Sequence, residues 1–269
     1  KLQMAANCGF SADLSGPVAD RAVFHSDNAY FLENVEIASY RCKTHTQSHT
    51  AFRGFGGPQG VIVIEAILGD IARALGRDAQ DVRLANLYGQ DAGSGRNVTH
   101  YQMTVEDNIL HALLPQLERN ADYRRRQAEI AAWNAQQPVL KRGMAITPVK
   151  FGISFTATLF NQAGALVHVY TDGSVQVNHG GTEMGQGLHT KVAQIVADEL
   201  GVPFERVLVT ASDTSKVPNA SATAASSGTD LNGRAAQFAA RNVRDNIASF
   251  VCGQDGCGAG SIQFVGGKV

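Results

Sequence analysis

With 269 residues, 23 Lys plus Arg against 24 Asp plus Glu and a net charge of −1, the chain has no electrostatic bias toward nucleic acid or an acidic membrane. It is long enough for one large or two ordinary domains, and no run approaches the ~18 apolar residues of a membrane span. Four scattered cysteines (Cys8, Cys42, Cys252, Cys257) exclude a disulfide framework, so reduced thiols and a cytoplasmic setting are expected.

The chain opens at Lys1 on an apolar segment, as a piece cut from a longer protein would. His45 and His49 stand four apart, a spacing that clasps a metal on a helix, but Thr44, Thr46, Ser48 and Thr50 favour a loop, and no third ligand follows. Pro58 then sits in the first turn of a helix whose apolar face is Val61, Ile64, Leu68, Ile71 and Leu75, with Gly76 as its stop. Asp78 caps a second helix to about Asn86. Asn97-Val98-Thr99 is a formal glycosylation sequon that means nothing without a secretion signal. A helix starting near Thr104 carries Ile109, Leu110, Leu113, Leu114 and Leu117, and Pro115 should kink or shorten it. The basic stretch Arg124-Arg125-Arg126 opens an exposed helix that ends before Pro138.

From about residue 141 the pattern turns to strands, expected at 143–149, 153–155, 165–170 and 174–178, with Thr171-Asp172-Gly173 as a hairpin turn. A glycine-dense loop (180–187) follows, then a helix at 188–200 and a strand at 207–210. Next come the small-residue run 219–228 and a helix from about 230 to 250. Gly266-Gly267 offers a last turn. The expected fold is mixed α/β: two lobes, 1–140 and 141–269, with a cleft between them for a ligand.

Three loops concentrate candidate chemistry. The first, 50–60, places Arg53 and Phe55 among glycines. The second, 180–187, follows a strand and opens a helix, whose unpaired N–H groups suit a polar or anionic ligand. It lacks the Gly-Lys-Ser/Thr of a phosphate loop and the third glycine of a dinucleotide fingerprint, and Gln186 offers both an amide donor and an acceptor. The third, 223–228, is rich in Ala, Ser and Thr before a helix. Each of the three is equally consistent with a plain turn or a helix cap.

Ala51-Phe52-Arg53-Gly54-Phe55-Gly56-Gly57-Pro58-Gln59, Phe151-Gly152-Ile153-Ser154-Phe155 and 180–191 (GGTEMGQGLHTK) closely resemble the molybdenum hydroxylases, and within them the xanthine dehydrogenase branch. The likeness runs from Asp20-Arg21-Ala22 to 221–226. It implies a central piece of a molybdopterin-binding subunit, 1–140 being the later part of the first cofactor-binding lobe and 141–269 the earlier part of the second. It implies a molybdenum–pterin whose metal is held by the cofactor's own dithiolene sulfurs, so no protein metal set is expected. Arg53 (through its backbone), Met184, Gly185, Gln186 and Ala225 match cofactor contacts. Phe55 and Phe155 match two rings that hold a flat purine, Arg21 an arginine facing its polar edge, and Thr156 a further substrate contact. Stacking rings and a forked cation suit a heterocycle bearing carbonyl oxygens. The family's general-base glutamate would lie beyond Val269. Iron–sulfur, FAD and NAD sites would lie in other domains or subunits of a homo-oligomeric enzyme, and no nucleic acid or membrane partner is implied. The implied activity is hydroxylation of hypoxanthine or xanthine to urate. An aldehyde oxidoreductase on the same scaffold is the nearest alternative, and a non-catalytic cofactor- or partner-binding chain the next. Glu183 has no base role by this likeness.

Overall fold

A computed structural model describes residues 1–155, 157–216 and 220–269. The chain divides into two compact units, Lys1–Phe151 and Gly152–Val269.

The first unit opens with β1 (Leu2–Asn7), α1 (Ser15–Phe24) and β2 (Ile37–Cys42). The strands pair in parallel from Leu2 against Ile37 to Asn7 against Cys42, so α1 is a crossover helix. After it come α2 (Gly57–Leu75), α3 (Ala79–Asn86), α4 (Leu110–Asn120) and α5 (Tyr123–Gln136). Ile64, Leu68 and Ala72, four residues apart on α2, build one core with Tyr30, Val82, Leu87, Leu114, Tyr123 and Ile146. Gly76 ends α2 in the left-handed region, and the Asp78 carboxylate accepts from Gln80 N at 2.7 Å to cap α3. Helix α4 begins only at Leu110, several residues after Thr104, and runs on through Pro115 to Asn120.

Charged groups inside this unit are satisfied in clusters. Glu65 accepts from Tyr30 (2.5 Å), Asn28 (2.9 Å) and Arg83 (2.7 Å). Fully buried Asp27 accepts from Tyr88 at 2.6 Å and pairs with Lys150 at 2.9 Å. Burial alone would raise its carboxyl, but His100, Lys150 and Tyr88 outweigh that and hold it below the usual carboxylate range. The stretch 143–149, expected as a strand, forms none. Its backbone is held by side chains instead: Gln127 donates to Met144 O (2.8 Å) and Asn28 to Pro148 O (2.8 Å). The expected strand at 153–155 is likewise irregular.

In the second unit β3 (Ala165–Val169) and β4 (Val175–His179) form the expected hairpin about Gly173, which sits at φ +79°. Helix α6 (Leu188–Leu200) crosses over to β5 (Val207–Val209), parallel to β4, giving the order β3-β4-β5. Leu188, Val192, Val196 and Leu200 recur every fourth residue and bury against Val175 and Val177. The long helix α7 (Gly228–Asp255) presents Ala236 and Ala240, which are small enough to let it close on the same core. Gly266-Gly267 turns the chain between bridged Val265 and Lys268.

Candidate functional site

In the first unit α1 carries Arg21, and the loop entering α2 carries Arg53 and Phe55. Gly54, Phe55 and Gly56 take φ of +105°, +48° and +94°. Such values suit glycine but cost Phe55 about 1–3 kcal/mol, a strain that persists only where the surroundings impose it. They are imposed here by close packing. A Cβ on Gly56 would meet the Val18 carbonyl oxygen at 2.0 Å, and one on Gly60 the Ala22 carbonyl oxygen at 2.3 Å. The loop therefore rests on the backbone of the helix that carries Arg21. Phe151 completes the contact: its ring occupies the space a Cβ on Gly57 would need (2.2 Å), and the Arg21 guanidinium lies 4.6 Å from its centroid. His25 meets the same ring at 4.9 Å. Burial lowers the Arg21 pKa, and a guanidinium remains charged regardless. Arg53 is exposed on this loop.

In the second unit β4 ends at His179, whose Nδ1 accepts from Gly181 N at 3.0 Å. That bond places the remaining proton of the neutral ring on Nε2. Burial, and then the neighbouring His189, push its pKa down to about 4. Thr182 N donates to Thr223 Oγ1 at 2.8 Å, and a Cβ on Gly181 would meet Leu188 and Asn232 within 3 Å. The loops 180–187 and 223–228 thus lie side by side. Ala225 and Ser226 both take φ +56°, and the Ala225 carbonyl accepts from Ser154 N at 2.7 Å. Next along the chain, Phe155 is gripped at both backbone groups by the Asn161 amide: its N–H donates to Oδ1 (3.1 Å) and its C=O accepts from Nδ2 (2.7 Å). Its ring packs on Phe160 at 6.0 Å. Met184, Gly185, Gln186, Ala225 and Phe155 therefore gather in this unit, while Arg21, Arg53 and Phe55 gather in the first. Thr156 lies outside the described residues.

One expectation is corrected. The amides leading into α6 are not all left for an outside anion, because Glu183 takes those of Gly185, Gly187 and His189. Its Oε1 accepts from Gly185 N (2.9 Å) and Gly187 N (3.0 Å), and its Oε2 from His189 N (3.1 Å). These bonds hold the carboxyl below the usual range. Gln186 is turned inward too: Met184 N donates to its Oε1 (2.5 Å), and its Nε2 donates to Thr182 O (2.8 Å). Sequence reasoning also misses the supports Phe151 and Asn161. Only Glu183 leaves a trace in sequence: the residue preceding α6 is Gly187, which has no side chain to cap the helix.

The loop's chemistry fits a polar heterocycle. Exposed Met184 stands beside Gly185, where a Cβ would meet nothing within 4 Å, so ligand backbone approach is unhindered. What the loop offers a ligand there is the Gly185 backbone and the Met184 side chain. Among the described residues no three His, Cys, Asp or Glu side chains assemble as a metal set.

Residues 1–87 and 116–269 match two family models, each described as a molybdopterin cofactor-binding domain. The chain is 47% identical over 237 residues to a xanthine dehydrogenase/oxidase of Gallus gallus, covering 88% of this chain and 17% of that protein. It is 45% identical over 242 residues to a xanthine dehydrogenase of Dictyostelium discoideum, covering 90% of this chain and 18% of that one. A nicotinate hydroxylase, hnxS, of Emericella nidulans is 45% identical over 245 residues, covering 91% and 18%. The chain thus spans under a fifth of the length of these relatives. Among solved structures, quinoline 2-oxidoreductase from Pseudomonas putida 86 superposes with a TM-score of 0.71 at 20% identity, covering 98% of this chain and 35% of that one. The aldehyde oxidoreductase from Desulfovibrio desulfuricans superposes at 0.67 and 20% identity, covering 90% and 26%. Likeness at that identity speaks for the fold alone.

Proposed function

Since the chain belongs to the molybdopterin cofactor-binding family, we propose that it forms the cofactor- and substrate-facing part of a xanthine-dehydrogenase-type molybdenum hydroxylase. When bound, the molybdenum–pterin supplies the redox centre for hydroxylating an electrophilic ring carbon. The chain's own residues bind and orient. Met184, Gly185, Gln186, Ala225 and the Arg53 backbone hold the pterin. Phe55 and Phe155 hold a flat purine, with Thr156 beside it, and Arg21 meets its polar edge. Residues 1–140 and 141–269 belong to the first and second cofactor-binding lobes, and a glutamate outside residues 1–269 is the general base. Iron–sulfur and FAD groups in other domains or subunits of a cytoplasmic homo-oligomer pass the electrons to NAD, in purine catabolism.

The observation that carries this is the fixed guanidinium: Arg21 is seated on Phe151 beside the strained loop of Phe55. A preorganised cation there stabilises negative charge pushed onto a far carbonyl oxygen as the ring is attacked. A second reading has a specific support, since a nicotinate hydroxylase is as similar as the xanthine dehydrogenases, and an arginine also pairs with a carboxylate. Turnover of hypoxanthine, nicotinate and benzaldehyde by the full-length protein, followed as NAD reduction, separates these. Hypoxanthine is expected to lead. A lead for nicotinate moves the assignment to that substrate, and a lead for benzaldehyde moves it to aldehydes.

A further inference from the structure

A helix start with a glycine as its cap leaves backbone donors without a partner unless something else supplies an acceptor. In α6 that acceptor comes from four residues upstream. Glu183 reaches forward and takes the N–H groups of Gly185, Gly187 and His189 with its two carboxylate oxygens. Both glycines it spans are left-handed, Gly185 at φ +86° and Gly187 at +75°, and each has open space where a Cβ would stand. They are glycine for conformation, not for room, and the bent conformation is the one that turns these amides toward the carboxylate. Gln186 closes the same loop from the other side through Met184 N and Thr182 O. Four donors of a loop that reads as an anion cradle, the N–H groups of Met184, Gly185, Gly187 and His189, are thereby taken internally by one carboxylate and one amide.

We propose that Glu183 is a positioning residue for the cofactor loop: its carboxylate stands where an anionic ligand would otherwise bind and holds Met184, Gly185 and Gln186 in the shape that receives the pterin. This rests on the cofactor reading above and adds a role that Met184, Gly185 and Gln186 do not have, since Glu183 itself faces the chain rather than a ligand. The positive end of α6 is already neutralised.

Glu183→Gln keeps the length of the side chain and removes its charge and one acceptor, and Glu183→Asp keeps the charge on a shorter stem. In the full-length protein, amide hydrogen exchange over 182–190 and molybdenum and pterin content are measured for both variants and the wild type. Exchange of the Gly185, Gly187 and His189 amides should rise about fivefold in the Gln variant, the size of a lost cap. Pterin content should fall by a similar factor, with partial rescue by Asp. Wild-type protection should persist through the usual carboxylate range and fade only as the pH drops below it, and the Gln variant should lack that pH step. A purely structural role predicts general unfolding and no such charge dependence. Unchanged exchange in the Gln variant overturns the role of Glu183. Faster exchange with full pterin content overturns its link to the cofactor. Wild-type protein purified without pterin would instead overturn the cofactor reading, and the exchange data would still judge the loop.

Discussion

At the residue scale the decisive side chain is Arg21. It lies on α1, its guanidinium is seated on Phe151, and the glycines of the neighbouring loop press on the same helix. Under the proposed function such a cation is held before substrate arrives, and its contribution is then expected to fall on the transition state more than on binding. Arg21→Met keeps much of the stem that packs on Phe151 and removes the charge. In the full-length enzyme kcat on hypoxanthine should fall on the order of a hundredfold, about 3 kcal/mol, while KM moves little. Turnover of benzaldehyde, which lacks a far carbonyl oxygen, should fall much less. Equal losses on both substrates would leave Arg21 a packing residue and remove the case for a purine.

At the element scale, what could be read from sequence depended on whether an element's partners are local. Helix α2 is legible from its apolar spacing with Pro58 and Gly76 at its ends, α3 from Asp78, and the β3–β4 hairpin from Asp172-Gly173. Segment 143–149 is not, because Asn28 and Gln127 satisfy its backbone from far along the chain, and no local pattern announces that. The site divides in the same way. Arg53-Gly54-Phe55 and Met184-Gly185-Gln186 stand in recognisable motifs, whereas Phe151 beneath Arg21 and Asn161 around Phe155 exist only in three dimensions. The α1–α2 contact also gives opposite predictions for two glycines of one neighbourhood. Gly56→Ala would drive a Cβ into the Val18 carbonyl at a φ of +94°, so α1 must move away; a loss of about 3 kcal/mol in urea unfolding is expected. Gly69→Ala, mid-helix with only the end of the Arg73 side chain at 3.5 Å, should stabilise by about 0.5–1 kcal/mol. Similar effects from the two would mean that the α1–α2 approach is not what requires glycine at 56.

At the scale of the whole molecule, acid stability follows from histidines before it follows from carboxylates. Asp27, Glu183 and Glu199 are all held below the ordinary carboxylate range, so their contributions are complete at neutral pH and disappear only as pH falls through those low values. His179 acts earlier and in the same direction. Folded, it stays neutral down to about 4 because it is buried and faces His189, whereas the unfolded chain takes up its proton near 6.5. Between those values the unfolded state binds the additional proton, so stability is full above 6.5 and declines as pH falls toward 4, by up to about 3 kcal/mol. His25, whose pKa burial also lowers, adds a loss of the same sign in the other unit. His179→Asn keeps an acceptor for Gly181 N and removes the titrating group. Urea unfolding followed through the second unit at pH 7.5, 6 and 5 should show the wild type losing stability over this range and the variant staying nearly level. Parallel curves for the two proteins would place the acid sensitivity elsewhere and leave the His179 ring with a purely geometric role at the root of the 180–187 loop.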